Sequence, residues 1–150
     1  MVTSSGRSPV TTTPDLSVVK EAVVAALADV MDAYGENKTR VIPDGQGGAW
    51  VEIADVPLGG PYAQTATFVI CLLPFNLPAA DIYPLFIRND LSRTDSGPLG
   101  EGFSSTFVTW PGEDAPRPVT QVSRRTRGNA FALQTARLKI EKVLDWVRSR

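Results

Sequence analysis

The sequence contains no histidine and a single cysteine, Cys71. Histidine is the side chain whose ordinary pKa best suits proton transfer near neutral pH. Its absence removes Ser-His-Asp and Cys-His nucleophile arrangements, together with the usual zinc sites. One cysteine excludes an internal disulfide and any multi-cysteine metal site. Long apolar runs are also missing: Phe68 to Leu73, like every other apolar run in the sequence, falls far short of the roughly 20 residues of a membrane span. The opening stretch MVTSSGRSPVTTTPD is polar and rich in Thr and Ser. It has no signal-peptide core, so residues 1–13 read as a flexible lead-in. Neither sign of charge is in excess, the net charge being -1, which argues against a nucleic-acid or membrane-surface binder. The expectation is a cytoplasmic protein without cofactor or metal. Any enzyme chemistry would rest on carboxylates, lysine or the thiol.

The chain has 150 residues, 43% of them hydrophobic and 21% charged, the profile of one globular domain, placed at 14–150. Thr13-Pro14-Asp15 reads as a helix start, with a hydroxyl cap, proline at the first helical position and an acid favoured by the dipole. Val19, Val23, Ala26, Leu27 and Val30 recur at helical spacing, and Gly35 fits a C-cap, so a helix is predicted over 14–34. TRVIP and AWVEIADV read as strands joined by the turn residues DGQGG. TATFVICLLPF is too apolar for a strand with one wet face, so it is expected to be covered on more than one side. YPLFIR is a fourth strand. From Asn89 to Arg127 glycine, proline, serine and charge dominate, with a short strand allowed at FVTW or VTQVSR. A second helix is predicted over 130–149, with Asn129 as its cap. It carries an apolar stripe of Leu133, Ala136, Ile140, Val143, Leu144 and Val147, with Lys139 and Lys142 on its polar face. The fold class is therefore α+β: an N-terminal helix, a four-stranded antiparallel meander, a long irregular segment and a C-terminal helix.

Between the third and fourth strands lies LPFNLPAADIYP, with Pro74, Pro78, Tyr83 and Pro84. Proline fixes φ and cannot donate to a ladder, so these residues end one strand cleanly and stiffen the crossover. In this elbow and in element order, the chain resembles the ubiquitin-conjugating enzyme superfamily, including its RWD relatives and divergent bacterial members. That resemblance covers about residues 14–90 and implies a helix packed on a meander, with Tyr83 mostly buried at the sheet end. Active members of that superfamily carry a nucleophilic cysteine shortly after the fourth strand, yet residues 89–127 contain neither cysteine nor histidine. The resemblance thus implies a non-catalytic member, holding a ubiquitin-like protein, an activating-type enzyme or another partner. Trp110-Pro111 is loosely similar to a tryptophan of that family.

Other residues keep alternatives open. Cys71 is either a thioester-forming nucleophile or, inside FVICLL, an inert core thiol. In RNDLSRTD, the acids Asp90 and Asp95 fit a Mg²⁺ or Ca²⁺ site or a hydrolase, but the interleaved Arg88 and Arg93 point to self-neutralising surface pairs. Arg124, Arg125 and Arg127 in QVSRRTRG form a cluster able to grip carboxylate or phosphate groups. Their bland reading is a solvated loop, or pairing with Glu113 and Asp114. Trp110 is the tryptophan expected to make an exposed contact. Three functions stay open: a partner-binding module; a divergent conjugating enzyme or carboxylate-dependent hydrolase; and a structural or assembly subunit of a bacterial complex.

Overall fold

The computed structural model describes residues 15–126 and 135–150. Thr13, Pro14, Arg127, Asn129 and Leu133 lie outside the described residues. Helix α1 spans Glu21–Tyr34 and is followed by a short 3-10 turn at Glu36–Lys38. Six strands come next: β1 (Thr39–Pro43), β2 (Ala49–Pro57), β3 (Ala66–Leu73), β4 (Leu85–Arg88), β5 (Phe103–Val108) and β6 (Arg117–Val122). Helix α2, Ala136–Arg148, follows them.

The first helix begins later than its apolar spacing predicts. Asp15 accepts from the Ser17 backbone N–H at 3.0 Å and from its hydroxyl at 2.6 Å, a local turn that competes with helix. Lys20, at the N-cap, offers no side-chain cap; its N–H donates to the Gly47 carbonyl at 2.8 Å. Within α1 the predicted register holds, because Val23, Leu27 and Val30 are fully buried. Gly35, with φ 102°, ends the helix and donates to Met31 O. Helix α2 is capped by the Thr135 hydroxyl, which accepts from the Leu138 N–H at 3.1 Å, and residues 130–134 of the predicted helix lie outside the described residues. Its buried stripe is Ala136, Lys139, Ile140, Val143, Leu144 and Val147.

The sheet has six strands in the order β1-β2-β3-β4-β6-β5, every pair antiparallel. The first four form the predicted meander. The expectation of a four-stranded sheet beside a long loop is corrected: residues 103–122 supply a hairpin whose second strand docks on β4. Pro118 does not break this strand. Ser123 N–H donates to Gly102 O, and alternation from that pair turns the amides of residues 117, 119 and 121 toward β5. The β4 ladder stops at Arg88↔Val119, so the missing Pro118 N–H costs no bond.

One sheet face, formed by Ala49, Val51, Ile53, Val69, Cys71, Leu73, Leu85, Ile87 and Val122, builds a single buried core with both helices. Tyr34 on α1 hydrogen-bonds Glu141 on α2. Buried Tyr62 donates to Val147 O at 2.6 Å, tying the end of α2 to the β2–β3 turn. The opposite face is partly covered as well. Ile70 and Val119 are 0% exposed there, which meets the expectation that β3 needs cover on both sides. Glu52 bridges Arg40 (2.6 Å) and Arg117 (2.8 Å) across this face. Arg117 lies over Phe68, and Arg40 over Trp110.

Candidate functional site

The elbow between β3 and β4 carries two cis peptides, Leu77-Pro78 and Tyr83-Pro84. It also presents Asp81, whose carboxylate gathers three segments of the chain. It accepts from the Thr126 N–H at 2.8 Å and from the Thr126 hydroxyl at 3.0 Å. It pairs with the Lys139 ammonium of α2 at 3.1 Å. That ammonium also donates to Arg124 O and to Thr126 Oγ1, each at 2.9 Å. Lys139 is only 3% exposed, so its predicted place on the polar helix face is corrected. A lysine has three donors, and all three are used here, which makes Lys139 a fastener between elbow, arginine loop and α2.

Electrostatics agree with that role. Burial pushes the Lys139 pKa below its ordinary value despite the Asp81 charge, since desolvation penalises the ammonium. Burial also works against the Asp81 carboxylate. The Thr126 N–H and the Lys139 ammonium outweigh it and hold its pKa below the usual value.

This junction fixes the backbone from which two exposed guanidiniums project. Arg125 lies 3.8 Å from the centroid of the Tyr83 ring. Arg124 lies 4.7 Å from the Trp146 ring, and Arg150 approaches the same ring at 4.7 Å. Trp146 in turn stacks on Phe103 of β5 at 5.1 Å. Gly102 makes that approach possible: its φ is 89°, and a Cβ there would sit 2.6 Å from the Trp146 ring. Among the described residues no carboxylate pairs with Arg124 or Arg125, and residues 1–14 and 127–134 contain no acid. Arg124, Arg125 and Arg150 therefore stand on aromatic supports, preoriented and, among the described residues, in no ion pair with a side-chain carboxylate. Such an array suits carboxylates or phosphates on another molecule.

Beside the junction, α1, the elbow and α2 border a half-open, largely apolar pocket of about 290 Å³, lined by Ala26, Leu77, Pro78, Ile82 and Ala136 together with Asp81 and Lys139. Asp29 reaches it, and its Oδ2 is buried without a hydrogen-bond partner among the described residues.

The remaining candidates disperse. Arg124 and Arg125 are exposed as expected, and Arg127 lies outside the described residues. Glu113 pairs with Arg40 at 3.2 Å and not with the arginine loop. Trp110 is corrected from an exposed contact to a residue 6% exposed, because it closes the second sheet face beneath Arg40. Tyr83 is half-buried where it was expected to be mostly buried. It lies just before β4, and its ring face serves Arg125. Pro74 and Pro78 lie in the elbow, and Pro84 abuts β4. Arg88–Asp90 (2.5 Å) and Arg93–Asp95 (3.0 Å) form the self-neutralising pairs that their alternation implies. Cys71 is fully buried among apolar neighbours, and desolvation pushes its thiol up to about 12.

Sequence reasoning missed Lys139, Asp81, Trp146 and Arg150. A signal for the first was present: Lys139 stands three residues after Ala136 and four before Val143, inside the stripe. Asp81 is the lone acid between Asp55 and Asp90. No family model matches the chain, and neither a curated protein nor a solved structure shows significant similarity to it.

Proposed function

We propose that this protein is a non-catalytic binding module, similar to the ubiquitin-conjugating enzyme superfamily, that holds an acidic protein partner against Arg124, Arg125 and Arg150. The observation that carries the reading is the set of exposed guanidiniums resting on Tyr83 and Trp146 and, among the described residues, in no ion pair with a side-chain carboxylate. Two features support the superfamily part: the helix-then-meander order, and the proline elbow between β3 and β4. The sealed Cys71 thiol favours binding over thioester chemistry, because a thiolate is the nucleophile and burial suppresses it. The partner is a ubiquitin-like protein or an activating-type enzyme.

The test compares the wild-type chain with the triple variant Arg124→Ala, Arg125→Ala, Arg150→Ala as bait in extracts of the native host. The wild type retains a partner of one of those two kinds at low salt and releases it as salt rises, since exposed charge attraction is screened. The triple variant melts near the wild type and fails to retain the partner. Equal retention by both baits contradicts the proposal.

A further inference from the structure

We infer that β5 is a docking edge for a second copy of this chain, paired antiparallel about a two-fold axis at Ser105. The two sheet edges are unlike. The β1 edge, TRVIP, carries Arg40 and Pro43, devices that discourage strand addition. The β5 edge, FSSTFV, has no charge, no proline and no glycine. Its bond pattern fixes which groups face outward. Because Gly102 accepts from Ser123, residues 102, 104, 106 and 108 turn their N–H and C=O toward β6. Phe103, Ser105 and Phe107 therefore turn theirs away. Among the described residues, nothing bonds these outward groups.

The side chains make this edge complementary to itself. Phe103, Ser105 and Phe107 share one sheet face. Phe103 is half-buried against Trp146, whereas Phe107 is 66% exposed. With Ser105 on the axis, Phe107 of each copy faces Phe103 of the other, so the exposed ring meets an aromatic cluster already built. Every outward N–H and C=O of both strands is satisfied in the same register. No charged residue lies on β5, so the two-fold places no like charges together. The ring newly covered in each copy is Phe107, because Phe103 is already half-buried, so the paired edges form a contact at the small end of the range for specific interfaces. That area suits a concentration-dependent dimer with one continuous sheet. It also brings Phe107 of the second copy beside the Trp146 that carries Arg124 and Arg150, although the pairing stands independently of what those arginines bind.

The experiment uses the full chain. Light scattering across a hundredfold concentration range gives a mass rising from monomer toward dimer for the wild type. Ser105→Pro, which removes an outward donor and no ladder bond, stays monomeric. Under mild oxidation Ser105→Cys forms a reducible dimer. Thr106→Cys does not, because this register pairs Thr106 with Ser104 of the second copy and holds the two 106 positions beyond disulfide reach. The buried Cys71 is silent in both. A wild-type mass that stays monomeric throughout overturns the inference. So does cross-linking of Thr106→Cys equal to that of Ser105→Cys.

Discussion

Replacing Asp81 by alanine removes the anion that holds the elbow, the arginine loop and α2 together. The variant loses the Lys139 pair at 3.1 Å and the two Thr126 donors at 2.8 and 3.0 Å. The Asp81 side chain is 12% exposed and that of Lys139 4%, so water replaces little of what is lost. Breaking a buried pair by deleting one partner costs about 3–5 kcal/mol. Lys139 keeps the Arg124 carbonyl and the Thr126 hydroxyl, which places Asp81→Ala at the lower end, about 3 kcal/mol. For a chain of this size that lowers Tm by roughly 6–12 °C. Chemical denaturation of Asp81→Ala, Lys139→Met and the double variant completes a cycle. The double costs less than the sum of the singles by about 1–3 kcal/mol, because the second change removes a charge already stranded by the first. A local readout accompanies the global one: trypsin cuts after Arg124 and Arg125 faster in Asp81→Ala under native conditions. Stability within about 0.5 kcal/mol of wild type, or strict additivity, would refute the junction as described.

The other expectations are narrower. Cys71→Ala costs about 1 kcal/mol, as a small core truncation, and leaves partner binding intact; rapid labelling of the native thiol would count against its burial. Glu52→Gln tests the array on the second sheet face. It costs about 1–2 kcal/mol at neutral pH, discounted because Arg40 is 47% exposed. Burial works against the Glu52 carboxylate, but hydrogen bonds from Arg117 and Arg40 hold its pKa below the ordinary 4.5. The folded value is therefore the depressed one: the stabilisation is complete above pH 4.5 and lost as pH falls through the folded value. Acid denaturation shows this as progressive convergence of the wild-type and Glu52→Gln curves as pH falls below 4.5.

Regular periods made part of this architecture legible. Val23, Leu27 and Val30 repeat at helical spacing because one helix face meets the sheet, and the first four strands announce themselves by apolar runs between turns. The β5–β6 hairpin escaped for a physical reason. β5 is an edge strand with Ser104, Ser105 and Phe107 all exposed, so it shows no alternation of apolar and polar residues. β6 carries a proline that reads as a breaker until its register is known. The arginine cluster was visible as a run of charge, but its supports were not. Tyr83, Trp146, Asp81 and Arg150 are far from Arg124 and Arg125 in sequence or lie across a break in the pattern, and only tertiary packing joins them. The charge of Lys139 suggests exposure, although its helical phase lies within the buried stripe.

The most direct test of the account is photo-cross-linking from two positions. A photoreactive residue at position 125, above Tyr83, is compared with one at position 115, in the exposed hairpin at the other end of β6. In the native host, position 125 captures a ubiquitin-like protein or an activating-type enzyme, and Arg124→Ala with Arg150→Ala in the same chain abolishes the adduct. Capture of such a partner from position 115 but not from 125, or an adduct indifferent to those two arginines, contradicts the guanidinium face as the binding surface.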